Sequence, residues 1–597
     1  MFETTRKAFA LLSSREKRQI KWLFLATVVM ALVEAAGIAS VMPFMAVVAN
    51  PEIMQTNRGL NGLYTILGQP DPRSFQLVLG ILVLVALALA NAFSAFTTWL
   101  LMRFAFLSGH SLSERLLARY LSQPYAFFLN RNTAELGKNV LAEAHRFVTG
   151  VLLPAIRMFS KGIVAVTILL LLLLADPMLA LIVSTVLGGA YLTIYGLSRK
   201  RLGRIGRDSV TLSAARFRSA NEALGGVKDL KLLGRESTLL ARYAEVSHRF
   251  AMVEASSEVV SMLPRYALET LAFGGIIIIV LSLLGMHHSV ATILPLVALY
   301  ALAGYRLMPA LQQVYLGMSK LRYNAAVIDV LYCDLLESGR AAAAINGTPG
   351  SVDLREKIQL RDLSFSYPGN STAVLNKVNL AIPANRTIGI VGTTGSGKTT
   401  LIDIILGLLT PTQGDMYVDE IQIDAGNVRN WQRNIGYVPQ VIYLSDDTIA
   451  HNIAFGIPGD EIDREAVARA ARVANLHDFV VNDLPTGYDT VVGERGVRLS
   501  GGQRQRIGIA RALYHDPNVL VLDEATSALD GTTESAIMEA IHRLTHKKTI
   551  VLVAHRLTTV RECDVVYLLE GGRIVDQGPF DRLLVANELF RSMANRG

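Results

Sequence analysis

Six apolar stretches in the first half of the chain, at about 20–48, 75–107, 148–175, 177–198, 260–285 and 289–318, are each long enough to cross a bilayer as a helix; the second half holds none. Spanning the hydrocarbon takes ~20 apolar residues in a helix, the open structure that satisfies its own backbone there. Such a chain is expected to fold as a six-span α-helical membrane domain followed by a domain of another kind. Its composition agrees, with 51% hydrophobic and 18% charged residues and a mean hydropathy of +0.36, too apolar for an ordinary soluble protein.

The connections between spans are unequal. Spans 3 and 4 are joined at Asp176 and Pro177, and spans 5 and 6 around Met286, His287 and His288, by tight turns without Lys or Arg. The segments between spans 2 and 3 and between spans 4 and 5 are long and basic, the latter carrying Arg199, Lys200, Arg201, Arg204 and Arg207 among others. The positive-inside rule places these segments, and both termini, in the cytosol. The net charge of +8 is therefore read as a topology signal, and no nucleic-acid partner is expected.

Both long segments keep helical periodicity but break midway, at Gln123, Pro124 and Asn130 in one and at Gly225, Gly226 and Gly234 in the other. Each reads as two helical extensions joined by a short transverse helix suited to docking on a cytosolic domain; the plainer alternative is two cytosolic loops. Met1 to Lys21 lacks a cleavage site after a short apolar core, so it reads as an amphipathic helix on the cytosolic membrane face or a plain surface helix, not a signal peptide. Cys333 and Cys563 fall in cytosolic stretches, where thiols stay reduced, and read as apolar fillers.

Near Glu337 the pattern gives way to Ala, Gly, Asn and Pro, and 341–357 reads as a linker between a membrane domain at 1–340 and a second domain at 358–597. There, strand-like runs at Thr387 to Val391, Val519 to Leu522 and Thr549 to Val553 alternate with helical stretches. This predicts an α/β domain on a largely parallel sheet.

The run Gly392, Thr393, Thr394, Gly395, Ser396, Gly397, Lys398, Thr399 fits the P-loop pattern GxxxxGK[ST], directly after an apolar strand and before an apolar helix. Glycines let backbone N–H groups converge on phosphate, Lys398 neutralises the outer phosphates, and the Thr399 hydroxyl suits Mg²⁺. Thr400 follows at the first helical turn. A second strand, Val519 to Leu522, ends in Asp523 and Glu524, placed to bind the Mg²⁺ shell and to polarise the attacking water respectively. These motifs predict ATP and Mg²⁺ as ligands.

Leu499, Ser500, Gly501, Gly502 and Gln503 match the LSGGQ signature, and the whole chain resembles the ABC transporter family, in particular its exporters, which fuse a six-span domain ahead of the ATPase domain. The resemblance implies a dimer in which the signature of one subunit closes over ATP held by the P-loop of the other, so that each chain contributes half of each site. It further implies roles for Tyr367 in stacking on adenine and for Gln440 as the loop glutamine that reaches Mg²⁺ and water. Ser527 to Asp530 corresponds to the D-loop, His555 to the switch histidine, and the segment around Glu494 to one that senses the membrane domain. All motifs are complete, so a homodimer is expected to hold two competent ATP sites. After Gln440, Leu444 and Ser445 stand where many exporters carry Leu-Phe.

Ionisable residues inside spans are functional candidates: Glu34, Arg265, Glu269 and Arg306. Arg265 and Glu269, spaced i, i+4, can pair on one helix face, so one reading is a neutral structural network. The other is that Arg265 and Arg306 attract an anionic head group such as pyrophosphate. Val41 to Phe44, Leu263 to Arg265 and Tyr305 to Pro309 resemble the bacterial lipid-linked oligosaccharide flippases of the N-glycosylation type, as does an amphipathic stretch near 57–67. That resemblance implies transport of a polyprenyl-pyrophosphate-linked glycan, or a related anionic glycolipid, across a bacterial inner membrane from the cytosolic leaflet outward. The alternative is a general lipid exporter, of the lipid A type, or a multidrug exporter.

Overall fold

The computed structural model describes residues 2–49, 58–66, 71–175, 177–285, 290–337, 352–369, 372–493, 496–525, 531–554 and 556–594. The turns at Asp176 and around His287, most of the 341–357 linker, Glu494, Asp530 and His555 lie outside the described residues, as does the side chain of Arg306. The chain divides into two compact units, Met1–Leu121 with Arg131–Arg340, and Ser122–Asn130 with Ala341–Gly597.

The first unit is helical. A short helix α1 (Phe2–Ala10) precedes α2 (Ser14–Ala49). The start of α2 is fixed by a capping box, in which Ser13 N donates to Glu16 Oε2 at 2.6 Å and Glu16 N donates to Ser13 Oγ at 3.3 Å. The α1 helix is tied down by Lys7, which donates to Asp329 at 2.7 Å, and is followed by the buried Leu11 and Leu12. A nine-residue helix, α3 (Arg58–Ile66), occupies the amphipathic stretch near 57–67; its Leu60 packs with Val47, Phe75 and Leu79. The helix α4 (Pro72–Leu121) has 50 residues. At 1.5 Å per residue that is about 75 Å, far beyond the ~30 Å hydrocarbon layer.

Next in this unit come α6 (Leu153–Ala175), α7 (Pro177–Gly225), α8 (Val227–Leu233), α9 (Glu236–Gly285), α10 (Val290–Tyr323) and α11 (Ala325–Tyr332), with α5 (Tyr125–Leu129) assigned to the second unit. Among the described residues the predicted spans thus fall on six long helices: α2, α4, α6, α7, α9 and α10. Windows within Arg73–Leu121 and Thr133–Leu170 reach mean hydropathies of 2.5 and 1.7, apolar enough to cross a membrane. Ala31, Ile168, Leu172, Tyr191, Leu307 and Tyr315 form a core where α2, α6, α7 and α10 meet. The α6 and α10 backbones approach closely because residue 317 is glycine: a Cβ there would lie 2.9 Å from Pro154 O. Near the end of the unit, Asp334 accepts from Tyr120 Oη at 2.5 Å, Arg131 Nη1 at 2.9 Å and Asn139 Nδ2 at 2.9 Å.

Both interruptions in the long segments are short helices, α5 after Pro124 and α8 between Gly226 and Gly234, the latter with φ +62°. Ala126 of α5 packs against the core of the second unit. On α8, Val227, Leu232 and Leu233 are exposed.

The second unit carries two sheets among its described residues. The smaller is antiparallel and built from β1 (Lys357–Phe365), β2 (Leu375–Pro383), β4 (Gln413–Val418) and β5 (Ile421–Gln422), in the order β2-β1-β4-β5. In the larger, β3 (Thr387–Gly392), β6 (Ile435–Val438), β7 (Val519–Asp523), β8 (Thr549–Val553) and β9 (Val565–Glu570) run parallel, with β10 (Arg573–Gly578) antiparallel at the edge. Its strand order is β10-β9-β3-β8-β7-β6. Every residue of β3, β7 and β8 is buried, which accounts for their continuous apolar runs.

Candidate functional sites in the ATPase and membrane units

The first site lies at the carboxyl ends of β3 and β7. From β3 the chain turns through 393–397 into the helix α12 (Lys398–Ile405). Gly395 and Gly397 have φ of +79° and +101°, which side-chain-bearing residues rarely adopt. A Cβ on Gly392 would lie 2.1 Å from Leu569 O and 2.7 Å from Ser396 Oγ, so only glycine fits. Lys398 is 6% exposed and folds over the loop, its Nζ donating to Gly392 O at 2.9 Å and Thr393 O at 3.0 Å. Burial lowers its ammonium pKa, while Glu524 and Asp523 pull it back up. Thr393, Thr394, Gly395 and Thr399 are exposed, whereas Ser396 is buried with its hydroxyl unpartnered. The Thr400 hydroxyl shares a 3.0 Å hydrogen bond with Tyr367, which packs edge-on against Phe365.

Asp523 ends β7 opposite Val553 of β8 and is 6% exposed. Glu524 follows at φ +49°, its N–H donating to Val553 O at 3.0 Å. This turn directs the two neighbouring acids differently. Gln440 Nε2 donates to Glu524 Oε2 at 2.7 Å, and Gln505 Nε2 reaches Glu524 O at 3.4 Å. The structure therefore brings Gln440 to Glu524, and places Lys398 within electrostatic reach of both acids.

The fit to a magnesium nucleotide is good. A glycine cradle, an unpartnered buried hydroxyl at Ser396 and two carboxylates beside a lysine supply the donors and acceptors that phosphate and a hard cation require.

Ser500 stands elsewhere. It caps the helix α13 (Gly501–Leu513): Gln503 N donates to Ser500 Oγ at 3.2 Å, and Ser500 N donates to Gln503 Oε1 at 2.8 Å. Among the described residues no hydrogen bond joins 500–503 to the P-loop. Asp403 is a residue that no sequence motif marks. This lone acid in the apolar run of α12 is 8% exposed, and burial, reinforced by Asp523, raises its pKa to about 6. Tyr125 of α5 lies near enough to feel Asp403, and its phenol is raised by burial first and by that charge second.

The second site is a cavity of about 640 Å³ in the membrane unit, lined by residues of α2, α4, α6 and α10 including Glu34, Ser94, Arg157, Lys161, Tyr305 and Gln313. Glu34 is 8% exposed; its Oε1 accepts from Ser94 Oγ at 2.9 Å and from Lys161 Nζ at 3.4 Å. Arg265 and Glu269 do not line this cavity. They pair with each other at 2.7 Å along α9. Arg157 and Lys161 are absent from the sequence-derived candidates although they lie within span 3, and their charges are the signal that could have found them.

Two family models match the chain: the ABC transporter transmembrane region over residues 23–263, and the ABC transporter model over 375–527. An ATP-dependent lipid A-core flippase of Bordetella pertussis is 29% identical over 574 residues, covering 95% of this chain and 88% of that one. A protein with the same description from Chromohalobacter salexigens is 31% identical over 530 residues, covering 88% and 89%. A solved structure of a bacterial Atm1-family ABC exporter with ATP bound superposes with a TM-score of 0.77 at 24% identity, over 97% of this chain and 98% of that one. None of these is an oligosaccharide flippase, so they lend no weight to that part of the resemblance.

Proposed function

Because the chain belongs to the ABC transporter family and couples ATP hydrolysis to transport, we propose that it is a homodimeric flippase moving an anionic glycolipid from the cytosolic to the outer leaflet of a bacterial inner membrane. The observation that supports this cargo is the membrane-unit cavity, in which Lys161 and Arg157 outnumber Glu34. Two phosphate-bearing cargoes share this chemistry. One is a polyprenyl-pyrophosphate-linked oligosaccharide; the other is a lipid A-type glycolipid, favoured by the names of the relatives.

In the ATPase unit, Lys398 and the N–H groups of 393–400 hold the phosphates, and Tyr367 stacks on the adenine. Thr399, Gln440 and Asp523 would hold Mg²⁺, which when bound neutralises phosphate charge and polarises the γ-phosphoryl group. Glu524 orients the attacking water and takes its proton, with Gln440 holding the carboxylate by the 2.7 Å bond. By the family resemblance, His555 is the switch histidine assigned to the γ-phosphate and Asp530 belongs to the D-loop. The partner's Ser500, with the amides of Gly501, Gly502 and Gln503, closes the site from across the dimer.

The test is reconstituted protein assayed for ATPase stimulation and leaflet transfer with a lipid-linked oligosaccharide, a lipid A and a neutral lipid. Stimulation is expected from the phosphorylated lipids only. Equal stimulation by the neutral lipid overturns the cargo assignment. Glu524→Gln is expected to bind ATP yet turn over at least about a hundredfold more slowly; near-normal turnover refutes its role.

A further inference from the structure

The cavity in the membrane unit holds a carboxylate that an anion-binding chamber does not need. Lys161 and Arg157 lie one turn apart on α6, spaced i, i+4, so two like charges share one helix face. Among the described residues Glu34 is the one carboxylate within ion-pair distance of Lys161, and Arg157 has none; its polar contact is Met102 Sδ at 3.9 Å. Among its described lining residues the chamber thus carries one surplus positive charge. Uncompensated charge at membrane depth is expensive and persists where function requires it.

Glu34 is placed to tune that surplus. It is buried, and Ser94 holds its Oε1 at 2.9 Å, so its orientation is fixed independently of Lys161. The Lys161 contact is loose, 3.4 Å against the ~2.8 Å of a close charged pair. An ammonium has three donors, and the Lys161 side chain is 36% exposed, so it can take a second anion while Glu34 stays in place. Depth agrees as well. Lys161 and Glu34 each stand near the middle of their predicted spans, 148–175 and 20–48. Both therefore lie deep in the hydrocarbon, where an unneutralised charge is costly and is kept for a function.

We propose that Glu34 is a specificity-determining residue: a built-in counter-anion that weakens binding of phosphorylated amphiphiles at Lys161 and Arg157, so that only head groups carrying more than one negative charge are held well. This rests on the anionic-lipid reading and names the residue that sets its charge threshold.

The full-length protein in zwitterionic nanodiscs is titrated with farnesyl pyrophosphate and, separately, with farnesol, following intrinsic fluorescence. Wild type is expected to bind the pyrophosphate more tightly than the alcohol. Glu34→Gln, which keeps an acceptor for Ser94, tightens pyrophosphate binding about tenfold, because removing a charge a few ångströms from the cations strengthens their field, and leaves farnesol unchanged. Glu34→Asp keeps the wild-type preference. Lys161→Gln weakens pyrophosphate binding, and adding Glu34→Gln to it has much less than the tenfold effect. The proposal is overturned if wild type does not prefer the pyrophosphate, if Glu34→Gln leaves the preference unchanged or lowers it, or if both ligands respond alike. Should Glu34→Gln fail to fold, Lys161→Gln decides, an unchanged pyrophosphate affinity refuting the site. If the pattern holds while no glycolipid is flipped, the transport reading falls and the chamber stands. If glycolipid is flipped while Glu34→Gln keeps the wild-type preference, the chamber proposal falls and the transport reading stands.

Discussion

Asp403 offers a quantitative test of the packing around the P-loop. Burial raises its carboxyl from 3.8 to about 6, with the charge of Asp523 adding to the effect. It sits between Ile402 and Ile404 on α12, in a helix whose other described positions from Thr400 to Ile405 are also buried. A shift of roughly two units at 1.36 kcal/mol each makes the ionised folded form about 3 kcal/mol less favourable than an unperturbed acid would be. The sign follows from proton binding. Between about pH 4 and 6 the folded state holds the Asp403 proton more tightly than the unfolded state, so stability contributed below pH 4 is lost as pH rises through 6. Asp403→Asn is nearly isosteric and stays neutral, so it should raise the melting midpoint of the ATPase unit at pH 7.5 and flatten its fall between about pH 4 and 6. A two-unit chain does not unfold in one two-state step, so the measurement is the midpoint of that unit's transition in magnesium-free, nucleotide-free buffer. A variant no more stable than wild type at pH 7.5, with the same pH slope, would refute the reasoning.

Asp334→Ala strips the acceptor shared by Tyr120, Arg131 and Asn139 and should destabilise the membrane unit by roughly 3 kcal/mol, the Arg131 share being reduced because its side chain is 40% exposed. Asp334→Asn should lose less, and the monodisperse fraction after graded heating measures both. Gly392→Ala should abolish ATP binding, measured with a fluorescent nucleotide, because the added methyl lies 2.1 Å from Leu569 O. Ser500→Ala should lose about 1 kcal/mol of helix capping, whereas Ser500→Asn restores the melting point but not the ATPase rate. Full ATPase recovery in Ser500→Asn would mean that the serine only caps.

What can be read in the sequence follows from how local each constraint is. A bilayer demands a continuous apolar run, and a phosphate cradle demands glycines at fixed offsets before a lysine, so the spans and the P-loop are written within a few turns of chain. The transverse helices α5 and α8 are also visible there, since Pro124 and Gly226 stand at their starts and Gly234 at the end of α8. Asp403 escapes notice because one acid in an apolar helix has no local partner to declare its neighbours. Its environment is set by Asp523 on a strand well over a hundred residues away.

The membrane charges divide along the same line. Arg265 and Glu269 are opposite in sign and one turn apart, so their 2.7 Å pair is predictable, and that pairing leaves little field for a ligand. Arg157 and Lys161 are also one turn apart but share a sign, so no neutralisation is possible between them. Compensation must come from elsewhere, and here it comes incompletely, from Glu34 on another span 127 residues away. A like-charged i, i+4 pair inside a span is therefore a stronger pointer to a ligand path than an isolated arginine, because neither charge can satisfy the other. In this chain that criterion moves the candidate site from Arg265 on α9 to Lys161 on α6, and it makes the charge of Glu34, rather than that of Glu269, the one whose removal should alter what binds.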